Sequence, residues 1–456
     1  LSILFSVIRD LTEDTDTKLN RERFVKQAVD TDLGLKEQLR LHLRKKDQSF
    51  FERHIQTRDA TKNLPSLDGL NGSKARIVEN AQFLLQRLQD MCEIKRSKLI
   101  RFLLQNCYLV VVEVPTDMAA RRIFTVLNAR GLDLTATDIL KANLLERAGS
   151  HREDQLSERW EDIEISLGRD RFNDLFVHIR MIFQREKPRS ALEKGFPEYV
   201  PVFRDSSNDF MDKVLEPFSD AFSLSADDRR LRQRYGAKTA ELIRSLIRLD
   251  NKDWLPPLLL CLRQSDEGTR SDVPNIVFKL ERLAYYLFLI RAAVTILMAR
   301  YADILEILDP QNKERGRSTG FDLSDDEAMA MFEALDGPIY LASRVVKPLL
   351  LRLEQASTDG SATYDFPTIT VEHVCPQTLG DGSEWQSWFP DHEEHAELIH
   401  RLGNLVLLNF RKNVLASNYD FGKKKSTYFA PNDSCAFTLT SEVREQPSWK
   451  PEDIRN

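Results

Sequence analysis

The sequence predicts a mainly α-helical protein with small α/β parts, and three observations lead there. Apolar residues recur at helical spacing across most of residues 150 to 345, most regularly over Ala237–Leu249, Leu255–Leu262 and Val277–Leu308. Runs with strand character are few and short: Cys107–Val114, Ile369–Val371 and Leu405–Leu408. Two small-residue breaks, 67–73 and 357–363, divide a chain of 456 residues, which at roughly 100–200 residues per domain holds two to four units. We expect three, spanning 1–148, 149–356 and 357–456.

The elements follow in order. Ile3, Leu4, Val7, Ile8 and Leu11 place an amphipathic helix at the start, with a second helix near Leu35–Leu43. The Gly/Asn/Asp-rich break then admits a helix over about residues 74–93. Cys107–Val114 is almost continuously apolar, as a buried strand is, and Ala119–Leu127 reads as helix. Gly131 supplies a turn with φ > 0, and Thr135 or Thr137 caps the helix that follows. The most apolar stretch, Leu283–Ala299, is interrupted by Arg291 and falls short of the ~20 residues a membrane span needs, so it reads as a buried helix. Pro256-Pro257 and Asp309-Pro310 punctuate this region; a polar loop, 311–316, and an acidic helix start, Asp322–Glu327, precede the second break.

Composition bounds the function. With 42% hydrophobic and 30% charged residues, the chain is globular and soluble rather than disordered or membrane-spanning. A net charge of -6 excludes a uniformly basic nucleic-acid coat, although a local basic groove suffices to bind DNA. Cys92, Cys107, Cys261, Cys375 and Cys435 are odd in number and scattered, which points to reduced thiols and a cytoplasmic setting. The chain begins at Leu1 inside an amphipathic pattern and so reads as a fragment.

The chemistry concentrates between Val371 and Lys425. An acid-His step, Glu372-His373, is followed by Pro376-Gln377, then by Gly403-Asn404-Leu405, and Asn413 stands nine residues past Asn404. Hydrolysis of a phosphodiester needs a base for water, a cation to stabilise charge, and a group that fixes the imidazole tautomer. His373 is the candidate base, its ordinary pKa lying near ~6.5. Hard Mg²⁺ or Mn²⁺ takes oxygen ligands and keeps several waters, so Glu372 and Asn413 suffice as the metal pair. Asn404 orients the histidine or ties its loop through the amide. Strands at 369–371 and 405–408, with Asn413 opening a helix behind them, make a ββα-metal layout. Arg401, Arg411, Lys412 and Lys423, Lys424 and Lys425 crowd this segment and suit phosphate contact, with Arg411, Lys412 and the lysine trio as DNA-binding candidates; the bland alternative is a solvated lysine run. A lone His near a strand end is usually structural, but the joint pattern outweighs that. His392 and His395, at i and i+3, lack an obvious third ligand and are set aside; Asn409 lacks the spacing of Asn413, and His400 is a phosphate contact or a surface residue.

These residues resemble a known motif. Glu372-His373-x-x-Pro376-Gln377, the Asn404 to Asn413 step, Trp385 and Trp388, Ser417-Asn418, Phe421 and the lysines are similar to the HNH nuclease domain at the C-terminus of GmrSD-type, modification-dependent restriction endonucleases, over roughly residues 365–430. Glu372 stands where many HNH proteins carry Asp, and the CxxC pairs that hold a structural zinc in many of them are absent here. Upstream, Phe124-x-x-Leu127-Asn128-x-Arg130-Gly131 to Asp138-x-x-Lys141 resembles the second signature of the family's N-terminal domain, which has a ParB/sulfiredoxin-like fold and is associated with nucleotide binding or hydrolysis. The family's first signature would precede Leu1, so the resemblance implies a truncated N-terminal domain. Asn128, Arg130, Asp138 and Lys141 either complete a nucleoside triphosphate site or cap and staple the turn.

The leading reading is a metal-dependent DNA endonuclease of restriction or phage defence, with DNA, modified DNA included, as partner and nucleotide-linked control. The runner-up is a catalytically silent DNA-binding or regulatory protein on the same scaffold. A third, a nucleotide-driven switch on protein partners, rests on the upstream string alone. RNA shares the chemistry, but the resemblance favours DNA.

Overall fold

The computed structural model describes residues 1–27, 38–43, 45–70, 72–108, 135–148, 150–309, 320–358, 369–409, 419–428 and 437–455. Helices dominate, and the sheets among the described residues are two antiparallel pairs, β1 (Lys26–Gln27) with β2 (Gln38–Leu39) and β3 (Ile369–His373) with β4 (Leu405–Asn409). This is the mainly α architecture with small α/β parts that the periodicity predicts. The chain forms two compact units, Leu1–Thr135 with Ser150–Arg169, and Ala136–Gly149 with Asp170–Asn456. The contacts thus group most of residues 149–356, expected as a separate helical domain, with the C-terminal segment.

In the first unit the expected N-terminal helix spans Ser2–Asp10 and buries Val7 and Ile8 against Leu88 and Ile100 of helices Gly72–Gln89 and Glu93–Asn106. Removing such aliphatic side chains from water contributes about 1.5–3 kcal/mol each. The same helix carries a buried ion pair. Arg9 Nε donates to Asp10 at 2.7 Å, and its Nη atoms donate to the Gln56 and Thr57 carbonyls at 2.8 and 2.7 Å. Asp10 in turn accepts from the backbone of Asp59 and Thr61, so both buried charges are satisfied, the condition under which such a pair is tolerated.

The helix expected near Leu35–Leu43 is corrected. Residues 38–39 form a strand paired with Lys26–Gln27, and 41–43 are not helical. Leu39, Leu41 and Leu43 alternate, which is the period of a strand and not of a helix. The strand expected at 107–114 and the helix at 119–127 fall mainly outside the described residues; Cys107 and Tyr108 follow the helix Glu93–Asn106 without strand structure.

In the second unit a helix begins at Ala136, directly after Thr135. Rings of Phe172, Phe176, Phe196, Phe203 and Phe210 interlock, several edge to face, into a fully buried cluster. Pro256 and Pro257 open the helix Leu255–Asp266 within its first turn, where a missing N–H costs nothing. The stretch Leu283–Ala299, expected as a buried helix, is divided between two, Val273–Leu289 and Val294–Leu308. Arg291 breaks it at φ 51°, and Ala292 N–H closes back onto the Leu287 carbonyl at 2.9 Å, a left-handed C-terminal cap. Val294 and Ile296, just past this corner, are exposed, so the apolar run spans a buried helix end and an exposed helix start, which composition alone does not separate. No helix among the described residues is long and apolar enough to cross a membrane.

The helix Asp325–Asp336 starts with a reciprocal capping box between Ser324 and Glu327, as its acidic beginning suggests. A short turn, Ile339–Leu341, and the helix Ser343–Ala356 follow. The buried Glu354 on that helix accepts the Thr438 and Leu439 backbone N–H groups, tying the last helices of the chain to those before the hairpin.

Candidate active site

β3 and β4 pair in antiparallel register, with His373 opposite Leu405 and Ile369 opposite Asn409. Leu405–Leu408 are buried together on β4, and Val406 packs into a cluster with Val374, Trp385, Phe389, Leu398, Phe421 and Trp449. Trp385 is fully buried, and its indole donates to the Tyr419 carbonyl at 3.0 Å. No zinc is needed to build this framework, because aromatic volume fills the space between the strands and the helices around them.

Asn404 locks the turn that leads into β4. Its Oδ1 accepts Cys375 N–H at 2.8 Å, and its Nδ2 donates to the Cys375 and Ile399 carbonyls at 3.0 and 2.9 Å. Its own carbonyl accepts Val374 N–H at 2.9 Å. Both hydrogens and the oxygen of this fully buried amide are engaged by the loops. Of the two roles expected for it, the structure therefore supports tying the loop, and gives no contact with the imidazole. Gly403 beside it has no room for a side chain: a Cβ would lie 2.2 Å from the Ile454 carbonyl oxygen.

His373 closes β3 with its ring nearly buried. Nδ1 lies 3.3 Å from Gln377 Nε2, and Nε2 lies 3.3 Å from His400 Nδ1. Tyr340 packs its ring against His373 at 4.1 Å between centroids and stacks on His400 at 5.4 Å with 7° between planes. Burial, then the neighbouring His400 and Lys424, push the His373 pKa down to about 4. The ring is therefore neutral at pH 7, and both of its nitrogens have a polar neighbour. His400, half-buried, is also held below the usual histidine range by burial.

Lys424 is a correction to the expected basic phosphate face. It is 1% exposed, and its Nζ donates to Glu372 Oε1 at 3.0 Å and to the His373 carbonyl at 2.7 Å. Burial lowers its pKa while Glu372 opposes that shift. The helix Phe421–Tyr428 explains the geometry: Phe421 and Lys424, three residues apart, share its inner face. Lys423 instead lies exposed with Nζ 3.5 Å from the Tyr419 ring centroid, and Lys425 donates to the Gln446 carbonyl at 2.8 Å. Arg401 pairs with Asp336 and Glu397 at 3.1 and 2.7 Å.

Other expected residues separate from this centre. His395 is buried with Nε2 3.1 Å from the Pro376 carbonyl, whereas His392 is exposed, so the two do not share a metal-facing surface. Asn409 sits at the far end of the ladder from His373. Asp138 and Lys141 are half-buried one turn apart on the helix Ala136–Ala148. Asn128, Arg130, Arg411, Lys412 and Asn413 lie outside the described residues. Sequence reasoning gave Tyr340 no role, since nothing in its spacing links it to residue 373. The inward side chain of Lys424 was legible in the Phe421-x-x-Lys424 step.

Comparison with known families now bears on the chain twice. The model of the GmrSD restriction endonuclease N-terminal domain matches residues 2–145, and that of the C-terminal domain matches residues 324–456. The chain belongs to the GmrSD restriction endonuclease family. Its role is that of a restriction endonuclease, and DNA is its partner. The match to the GmrSD C-terminal domain starts at Ser324, not at the small-residue break, and so takes in Tyr340, which packs on His373, and Glu354, which holds the start of the helix Thr438–Glu445. No curated protein matches the chain.

Proposed function

We propose that the chain hydrolyses DNA phosphodiesters at the β3–β4 hairpin by HNH-type chemistry, with His373 as general base and Mg²⁺ or Mn²⁺ held by Glu372 and Asn413. The observation that carries this reading is the nearly buried, neutral His373 adjoining a carboxylate that already engages a cation, the Lys424 ammonium at 3.0 Å. That oxygen suits a hard divalent ion. No group of three or more His, Cys, Asp or Glu gathers among the described residues, and an ion that keeps most of its waters needs none. When bound, such an ion supplies charge stabilisation at the phosphate.

The protein's own residues account for the rest. His373 takes a proton from water, the water oxygen bonds to phosphorus, and the phosphorus bond to the sugar oxygen breaks, that oxygen taking a proton from solvent as it leaves. Asn404 keeps the loop carrying Cys375, and with it the end of β3, in place. Lys423, Arg411 and Lys412 meet the phosphate backbone, while Lys424 holds Glu372. We further propose modification-dependent cleavage in phage defence, control by a nucleoside triphosphate through Asn128, Arg130, Asp138 and Lys141, and a cytoplasmic setting. Incubating plain and modified plasmid with Mg²⁺ or Mn²⁺, with and without nucleotide, tests these points. Wild type should cut and His373→Ala should not. Equal behaviour of the two on every substrate would leave the catalytically silent reading in place.

A further inference from the structure

The loss of Asn404 as an orienting group leaves open what fixes the tautomer of His373. The three rings at 340, 373 and 400 answer this. The Gln377 amide nitrogen can only donate, so in this orientation it requires Nδ1 of His373 to accept. The ring proton then sits on Nε2, 3.3 Å from His400 Nδ1, which accepts it. His400 is itself held in two ways: its ring stacks on Tyr340, and its carbonyl accepts Tyr340 N–H at 3.1 Å. Tyr340 also packs against His373 at 4.1 Å, so the two imidazoles share one aromatic wall.

We propose that His400 is the positioning residue of the site, accepting the Nε2 proton of His373 and so presenting Nδ1 as the basic nitrogen, with Tyr340 fixing the plane of His400. The inference rests on His373 being the base of the proposed hydrolysis. In the reaction the attacking water takes the place of the Gln377 N–H at Nδ1; when it gives its proton to Nδ1, the imidazolium keeps its Nε2–H donated to His400, and the added proton leaves Nδ1 for solvent after bond cleavage. His400 touches neither phosphate nor water in this scheme; it acts through His373 alone.

Two measurements on the full chain test this. Ring ¹⁵N NMR near pH 7 should show His373 in the Nε2–H form in wild type and in Tyr340→Phe, which retains both ring contacts. His400→Ala should give a mixture of tautomers, and His400→Gln, whose amide oxygen can accept the same proton, should restore the wild-type form. In plasmid cleavage, His400→Ala should lower kcat by about tenfold to a hundredfold, the range for lost orienting partners, at unchanged KM, with His400→Gln recovering most of it and the pH profile of His400→Ala displaced. The proposal is overturned if the ¹⁵N pattern of His373 is the same in wild type and His400→Ala, or if His400→Gln and His400→Ala lose activity equally. Absence of cleavage by wild type would reject the nuclease reading, while the ¹⁵N result would still decide whether His400 sets the tautomer.

Discussion

Replacing Asn404 with Ala should be among the most damaging single changes in the C-terminal segment. The side chain is fully buried and makes three hydrogen bonds of 2.8–3.0 Å to two separate loops. Truncation orphans the Cys375 N–H and removes one partner from each of the Cys375 and Ile399 carbonyls. A buried polar group left unsatisfied costs about 1–3 kcal/mol. The N–H sits at the full end of that range, and the carbonyls nearer the low end because each has a second lone pair. The sum is about 3–5 kcal/mol, with the void a further cost. Asn404→Asp isolates the donor term: it preserves shape and the acceptor for Cys375 N–H, but sets a carboxylate against two carbonyls, and should be no better than Ala. The assay is urea unfolding combined with hydrogen exchange at Val374 and Cys375, since the chain has two units and a single global transition is not assured. A loss below about 1 kcal/mol, with unchanged exchange at Cys375, would refute the argument that this amide holds the loop.

Gly403→Ala forces a Cβ to 2.2 Å from the Ile454 carbonyl oxygen, a backbone atom that cannot swing aside, so the last helix should detach; protease sensitivity near Pro451–Arg455 would rise, and an unchanged digestion pattern would count against the contact. Acid should destabilise the second unit. His178 and His373 are held at about 4 by burial, against 6.5 ordinarily; the native state thus binds fewer protons than the unfolded chain across that window. Stability present above pH 6.5 is lost as pH falls towards 4, by up to about 3 kcal/mol for each histidine, and His178→Leu should flatten the slope by one proton; an unaltered slope would sink this assignment. Lys424→Met removes the ammonium from Glu372 and should strengthen Mn²⁺ binding, read by calorimetry, by roughly tenfold, the effect of about 1.4 kcal/mol. Equal or weaker binding would show that Lys424 and the cation do not compete for Glu372.

Much of the fold was legible locally. Helical spacing over Ser2–Asp10, the acidic start of Asp325–Asp336 and the strand runs at 369 and 405 all formed as their residues dictate. Errors arose where one run of residues suits two periods or holds two helices. Leu39, Leu41 and Leu43 lie beside a charged run that looks helical, and at Arg291 a single charged residue inside an otherwise apolar run marks a corner. At the site, the acid-His step and Asn404 were visible because chemistry demands those residue types close together in sequence.

The sequence by itself thus determined the fold class, the family resemblance, and the set of groups from which we propose the phosphodiesterase site is built. Tertiary structure alone decided what those groups do for one another. Lys424 turns inward to Glu372 across 52 positions, Asn404 spends its amide on two loops, and Tyr340 and His400 reach His373 from segments 33 and 27 residues away. Periodicity reports which way a residue faces along its own element. It carries no term for which element lies opposite, and hydrogen-bond partners are chosen by that proximity.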